Sequence, residues 1–303
     1  MANTMATVIG NYYNIVALEQ QLRAVNEQIS VSEERIKLAE RKLEVGSGIK
    51  TELLQAKLDQ NAFKVQALQQ EALVIQAKAA LNALTGGQLP QEFEVADTIV
   101  LNYDLTKEEI IDGIETTNPQ LIAARGNVEV AKYALKANKG NRLPVISFVS
   151  NYNFNRNQSN QAQNQFSPIA TKTNGYQYGF TAQWTILNNF IIKDGIQLAA
   201  IALQRQQLLY EQAKVNAIAS VNTAFANYDF ALKTLAIEEE NIKFARENVF
   251  IVLESFKRGI ATMIEVRTAQ QSIVDAYNRL TTARYNAKVS ETELLRLKGA
   301  LLR

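Results

Sequence analysis

"EVGSGIKTELLQAK" at 44–57 and "KRGIATMIEVRTAQ" at 257–270 are two versions of one turn. In each, a glycine (Gly46 or Gly259) interrupts a long heptad pattern, and a new helical pattern starts within a few residues. Glycine readily takes the left-handed conformation that ends a helix. Thr51 or Thr262 can then cap the helix that follows. Either glycine alone reads equally well as an ordinary helix terminator. Their recurrence at one spacing, the 213 residues from Gly46 to Gly259, argues that the turn itself matters.

The same spacing relates the flanking segments. Leu22, Ile29, Ile36 and Leu43 form a seam seven residues apart, beside a second seam of Leu18, Val25, Ser32 and Ala39. Shifted by 213, the first seam becomes Leu235, Ile242, Val249 and Phe256. Beyond the turn, Glu52, Ala56, Leu81, Leu84 and Gly86 fall on Glu265, Ala269, Leu294, Leu297 and Gly299, and "NTMATV" from Asn3 falls on "NAIASV" from Asn216. No gap is needed from residue 1 to 90, which makes this an internal repeat. Each copy is expected to be a helical hairpin zipped by heptads. Pro90, Pro119, Pro144 and Pro168 all lie outside the long helical patterns, and from Asn188 to Arg258 the only glycine is Gly195. Such a stretch predicts a rod of about 100 Å.

Composition removes several function classes. The chain has 303 residues, 20% of them charged, and a net charge of +2, so nothing points to a nucleic-acid partner. It has no cysteine and no histidine, which removes disulfides, thiol chemistry, Cys/His zinc sites and histidine-based catalysis. Phosphate-loop, nucleophile-elbow and dinucleotide motifs are missing. Acid runs such as Glu33-Glu34 and Glu238-Glu239-Glu240 sit in heptad-bearing segments and read as solvated faces. No catalytic, cofactor or metal site is expected, and the chain does not read as an enzyme. No apolar run approaches the roughly 18–20 residues of a membrane helix. The start, "MANTMATVIGNYYNIVALEQQLRAV", reads as the middle of an amphipathic helix rather than a signal peptide.

Between the two hairpins the periodicity changes to two. In "LPVISFVSNYNFN" (143–155), Ile146, Phe148, Tyr152 and Phe154 alternate with Ser147, Asn151, Asn153 and Asn155. In "GYQYGFTAQWTIL" (175–187), Tyr176, Tyr178, Phe180, Ala182, Trp184 and Ile186 alternate with Gln177, Thr181, Gln183 and Thr185. These are two strands of roughly 10–12 residues, the length of a tilted membrane strand, with an aromatic and a polar face. The polar stretch "RNQSNQAQNQFSPIATKTN" joins them. A soluble hairpin laid on a helix fits this alternation about as well as a membrane barrel does. If lipid is the surrounding, two strands cannot close a barrel, so several copies or chains must contribute.

The long stretches that begin with these turns carry a resemblance. "KLEVGSGIKTELLQAKLDQNAFKVQALQQEALVIQAKAALNALTG", "SFKRGIATMIEVRTAQQSIVDAYNRLTTARYNAKVSETELLRLKG" and "NPQLIAARGNVEVAKYALKANKGNRLPVISFVSNYNFN" resemble the TolC family of outer-membrane efflux proteins over nearly the whole chain. The resemblance implies a mainly α fold: two repeated α-helical hairpins as α-barrel segments, plus one pair of transmembrane β-barrel strands. It divides the chain into a first hairpin at 1–87, an equatorial linker at 88–117, a short helix at 118–140, the strand pair with its extracellular loop at 141–187, and a second hairpin at 188–303. It implies a homotrimer in the outer membrane, with helices projecting into the periplasm. A periplasmic membrane-fusion adaptor would dock on the tips, Val45, Gly46, Ser47, Gly48, Gly259, Ile260, Ala261 and Thr262, and an inner-membrane pump would act through that adaptor. Ile146, Phe148, Tyr152, Phe154, Tyr178, Phe180 and Trp184 would meet outer-membrane lipid.

Two features depart from the family pattern. The family's iris positions hold Phe256, Glu265 and Thr268 here, with Ala261 where some members place an arginine, so the charged latch is largely missing. Glu265 reads equally as a helix-N-terminal acid favoured by the dipole. The family also has a strand pair before its first hairpin, and the 213-residue offset puts the equivalent of 143–187 upstream of residue 1. The chain is thus expected to be the C-terminal portion of a longer protein. The function implied is a passive export duct. The alternative is a periplasmic adaptor or coiled-coil scaffold without a pore, although adaptors usually carry one hairpin and this chain has two.

Overall fold

A computed structural model describes residues 2–90, 93–101, 105–158, 166 and 168–302. Six helices and one hairpin follow in order: α1 (Ala2–Glu44), α2 (Lys50–Leu84), α3 (Lys107–Thr117), α4 (Pro119–Gly140), β1 (Val145–Gln158), β2 (Ala170–Gln183), α5 (Ile191–Lys257) and α6 (Met263–Lys298), with a short 3-10 turn at Ala300–Leu302. The repeat reappears in the helix ends. Glu44 and Lys257, the last residues of α1 and α5, are 213 apart, as are Lys50 and Met263, the first residues of α2 and α6. Gly46 and Gly259 have φ of +73° and +77°; Gly86 and Gly299 have +77° and +75°.

The chain divides into two compact units, Met1–Ile122 with Lys214–Arg303, and Ala123–Ala213. The first holds the core. Ile242 and Val249 of α5 interlock with Ala269, Ile273, Ala276 and Leu280 of α6. Nearer the turns, Ala39 and Ala56 of the first hairpin share a cluster with Phe256, Met263 and Val266 of the second. α1 packs on both α2 and α6. Its buried face is therefore wider than one seam. Val25, Ser32 and Ala39 are buried, Leu22, Ile29, Ile36 and Leu43 are half-buried, and Gln28 and Arg35 go inside as well. The described part of the segment at 88–117 is bound to the helices and partly helical itself. Its extended part is pinned to α1 and α6: Ala96 N donates to Tyr12 Oη (2.9 Å) and Lys288 Nζ to Val100 O (2.9 Å), while Ile99 packs on Val16 and Ala17. Then α3 forms and buries Ile110 and Ile114. Asn118 ties the next joint, donating Nδ2 to Leu297 O (3.0 Å) and accepting at Oδ1 from Gln120 N (2.9 Å) and Leu121 N (3.2 Å).

The second unit has a different character: none of its described residues is buried. β1 and β2 pair antiparallel from Val145↔Gln183 to Gln158↔Ala170. Each strand has 14 residues, longer than the alternation alone indicated, and the residues between them at 159–165 and 167 lie outside the described part. β2 stops before Trp184. In this register the residue opposite Trp184 is Pro144, which has no N–H to continue the ladder. α5 starts at Ile191 rather than near Asn188, because Asn189 and Phe190 are left-handed (φ +52° and +65°). For a phenylalanine that conformation costs about 1–2 kcal/mol.

The core also contains a buried charge. The Arg35 side chain is fully buried; its Nη1 donates to Gln270 Oε1 (2.6 Å) and its Nη2 to Asp59 Oδ2, while Gln55 Nε2 holds the other Asp59 oxygen (2.8 Å). This network joins α1, α2 and α6. A buried cation stripped of its carboxylate is strongly destabilising, whereas an apolar replacement of both partners is often neutral. Asp59→Ala is expected to lower the unfolding free energy by about 3–5 kcal/mol, and adding Arg35→Met should recover most of it. Urea denaturation followed by helical circular dichroism checks this; an additive double variant would show that the pair is uncoupled.

Candidate functional site

The two turns are built differently from the same plan. After α1, Val45 N bonds Arg41 O (3.1 Å), Gly46 N bonds Leu43 O (3.1 Å), and both Ser47 N (2.9 Å) and Gly48 N (2.8 Å) bond Lys42 O. The left-handed Gly46 reverses the chain so that these orphan carbonyls are answered. Gly48 is needed for another reason, since a Cβ there would lie 2.9 Å from Lys42 Cβ. Val45, Gly46, Ser47 and Ile49 are exposed, and Gly48 is half-buried. Thr51 does not cap α2. The N-cap is Ile49, which has no side-chain acceptor, so Thr51 falls inside the first turn.

After α5, Gly259 N bonds Phe256 O (3.0 Å), and Ile260 N (2.9 Å) and Ala261 N (3.3 Å) bond Ser255 O. Thr262 then caps α6 reciprocally. Its Oγ1 accepts from Glu265 N (3.3 Å), and its own N–H (2.6 Å) and hydroxyl (2.9 Å) donate to Glu265 Oε2. Hydrogen bonds from the Thr262 backbone and side chain hold the Glu265 carboxyl below the usual glutamate range. Gly259, Ile260 and Thr262 are exposed and Ala261 is half-buried.

The three constriction candidates separate. Phe256 is buried between the hairpins, and Lys42 lies over its ring, with Nζ 4.0 Å from the centroid and 3.0 Å from Phe256 O. Glu265 is engaged within its own turn. Thr268 is exposed on α6 and donates Oγ1 to Ile264 O (3.0 Å).

The register settles which strand residues share a face. Ile146 opposes Ala182, Phe148 opposes Phe180, Ser150 opposes Tyr178, Tyr152 opposes Tyr176, and Phe154 opposes Asn174. Directly paired residues project to the same side. The apolar sets of the two strands therefore make one continuous aromatic face, where Phe148 and Phe180 lie 4.9 Å apart and Ser150 Oγ donates to Tyr176 Oη (2.9 Å). Asn151–Gln177 and Ser147–Thr181 line the other face. Trp184, grouped with the strand face from the alternation, stands just past the end of β2, and its Nε1 donates to Arg142 O (3.1 Å).

The sequence profile described as "Outer membrane efflux protein" matches residues 110–300. The outer membrane efflux protein BepC of Brucella suis is 22% identical, covering 99% of this chain and 64% of its own length. The outer membrane protein TolC of Vibrio cholerae is 21% identical, covering 96% of this chain and 66% of its own length. The chain thus spans about two thirds of these relatives. In fold it is similar to the outer membrane protein VceC of Vibrio cholerae, with a TM-score of 0.72 at 15% identity over 98% of this chain and 70% of that one.

The capping geometry sets a pH dependence. A carboxyl with a lowered folded pKa stabilises its turn above the unfolded value, and that support is lost as pH falls through the folded one. The Glu265 side-chain carboxyl, followed by NMR, should titrate below the ordinary glutamate midpoint, and Thr262→Ala should move it only part of the way back, because the residue-262 N–H still donates to Glu265 Oε2, while weakening the N-terminus of α6. An unchanged midpoint in Thr262→Ala would show that the hydroxyl plays no part.

Proposed function

The chain belongs to the outer membrane efflux protein family, and we propose that it supplies part of a passive export duct running from the periplasm to the exterior. The β-hairpin would contribute to a membrane barrel, and the helical hairpins would line a periplasmic tube. The strongest support is the hairpin register, which gathers the aromatic residues of both strands on one side and most of the amides and hydroxyls on the other. A water-filled barrel in lipid needs such a division, and both open edges of a two-stranded ribbon need further strands. Several copies, three in the reading the family favours, would supply them.

The largely exposed tips at 45–48 and 259–262 are proposed as the docking points for a periplasmic membrane-fusion adaptor, itself served by an inner-membrane pump. Both are apolar and firmly hydrogen-bonded, so they present fixed shapes at low entropic cost. A closable constriction near the second turn would draw on Glu265 and Thr268, which are exposed, rather than on the buried Phe256. The role proposed is conduction and docking, with no catalytic step.

Nitroxide labels at Ile146, Phe148, Tyr152, Phe154, Tyr178 and Phe180 should be accessible to a lipid-soluble quencher in the membrane-embedded protein, and labels at Asn151, Asn153 and Thr181 to a water-soluble one. The opposite pattern would sink the barrel reading. Separately, Gly46→Pro or Gly259→Pro should abolish export, read as drug susceptibility, because proline cannot take the left-handed conformation. Copy-to-copy cross-linking should persist. Normal drug tolerance in both variants would refute the tip assignment.

A further inference from the structure

At the foot of the hairpin the second unit carries a feature that neither conduction nor docking uses. An open pocket of about 290 Å³ is lined by Arg142, Trp184, Ile186, Leu187, Phe190 and Lys193. Its apolar members are poorly covered, with Phe190 68% and Leu187 91% exposed. Phe190 is also left-handed, and its ring points outward, so this strain is not repaid by packing within the protein. Two cations border the pocket, one on a residue tied through its main chain and one near an aromatic ring. Trp184 Nε1 binds the Arg142 carbonyl at 3.1 Å, and Lys193 Nζ lies 5.8 Å from the centre of the Phe190 ring. Among the described residues, neither cation has a carboxylate within ion-pair distance, including Asp194, the next residue after Lys193.

We propose that this pocket binds an anionic phospholipid, with its phosphate between Arg142 and Lys193 and its acyl chains running over Trp184–Leu187 onto the aromatic face of β1 and β2. The proposal rests on the reading of that face as lipid-facing. Three observations select this occupant. The apolar surface continues from the strand face, since Trp184 directly follows β2. The pocket joins exposed hydrocarbon-like surface to unpaired positive charge, and an anionic amphiphile matches both at once. A second copy presenting the same surface would bring like charges together and leave both cations unanswered.

Trp184 is the only tryptophan of these 303 residues, so it reports on the pocket directly. The membrane-embedded protein would be reconstituted in phosphatidylcholine vesicles doped with equal low fractions of either dibromo-phosphatidylglycerol or dibromo-phosphatidylcholine. Quenching is read as the difference from a Trp184→Phe control. The anionic lipid should be enriched at Trp184 on the order of fivefold over the zwitterionic one. High salt, or Arg142→Gln with Lys193→Gln, should remove the preference while leaving quenching by the zwitterionic lipid. Equal quenching by the two lipids in the wild type, or a preference that survives both salt and the double variant, would overturn the proposal alone. A Phe148→Trp variant carrying Trp184→Phe separates the remaining outcomes. If that probe is quenched and Trp184 is not, another copy covers the foot and the proposal fails. If neither is quenched, the strand face does not meet lipid and the reading beneath the proposal fails too.

Discussion

The ribbon formed by β1 and β2 has two outer edges, and each carries a row of N–H and C=O groups with no partner among the described residues. Nothing nearby compensates, because no described residue from 123 to 213 is buried. An isolated two-stranded ribbon is marginal even in water, and in hydrocarbon its open edges would cost several kcal/mol per group. In the proposed barrel, lateral strands would answer the edges and lipid would answer the aromatic face. The helical unit closes seams of its own, from Ile242 against Ile273 to Ala39 against Phe256, while Leu58, Leu68, Ile75, Phe230 and Phe250 stay exposed along its helices. One polypeptide thus joins a part with a buried core to a part whose described residues have none.

The helical part was the more legible in the sequence. Heptads and a gapless repeat locate the helices because coiled-coil burial is periodic, and the helix ends obey the 213-residue spacing at both turns. What escaped there is polar. Arg35 looks like any surface arginine on a helix, and only the third helix packed against α1 turns its position inward. The seam did offer a hint, since Ser32 stands where an apolar residue belongs and Gln28 precedes it by one turn. Thr51 was a plausible cap by composition but stands two residues past the cap position, and the helix starts from Ile49 without a side-chain acceptor. α3 could have been found from Thr106-Lys107-Glu108-Glu109 followed by Ile110 and Ile114, a capping-box pattern with an i,i+4 apolar pair.

In the strands, alternation revealed the faces but not the ends. The ladder runs further into the polar stretch than hydrophobicity indicated, because Arg156, Asn157 and Gln158 still find backbone partners across the ribbon. At the other end it stops early, where Pro144 withholds an N–H from Trp184. The left-handed pair Asn189-Phe190 had half a signal: asparagine tolerates that conformation and phenylalanine does not. Conformational strain at a bulky residue is set by tertiary demands, and residue type alone does not reveal it.

The two turns occupy equivalent places in the repeat, yet they are not interchangeable. Ala261 stands at the repeat position of Gly48, and a methyl group moved there would strike the last turn of α1. Ile49 stands at the position of Thr262, and moving it would strip α6 of the hydroxyl half of its reciprocal cap. Exchanging the two turns would therefore damage both tips, and exchange along the helices would put Asn in place of Arg35 or Ser in place of Asp59. A single gene so maintains two chemically distinct apices, and a partner that meets both must itself be asymmetric or be present in two orientations.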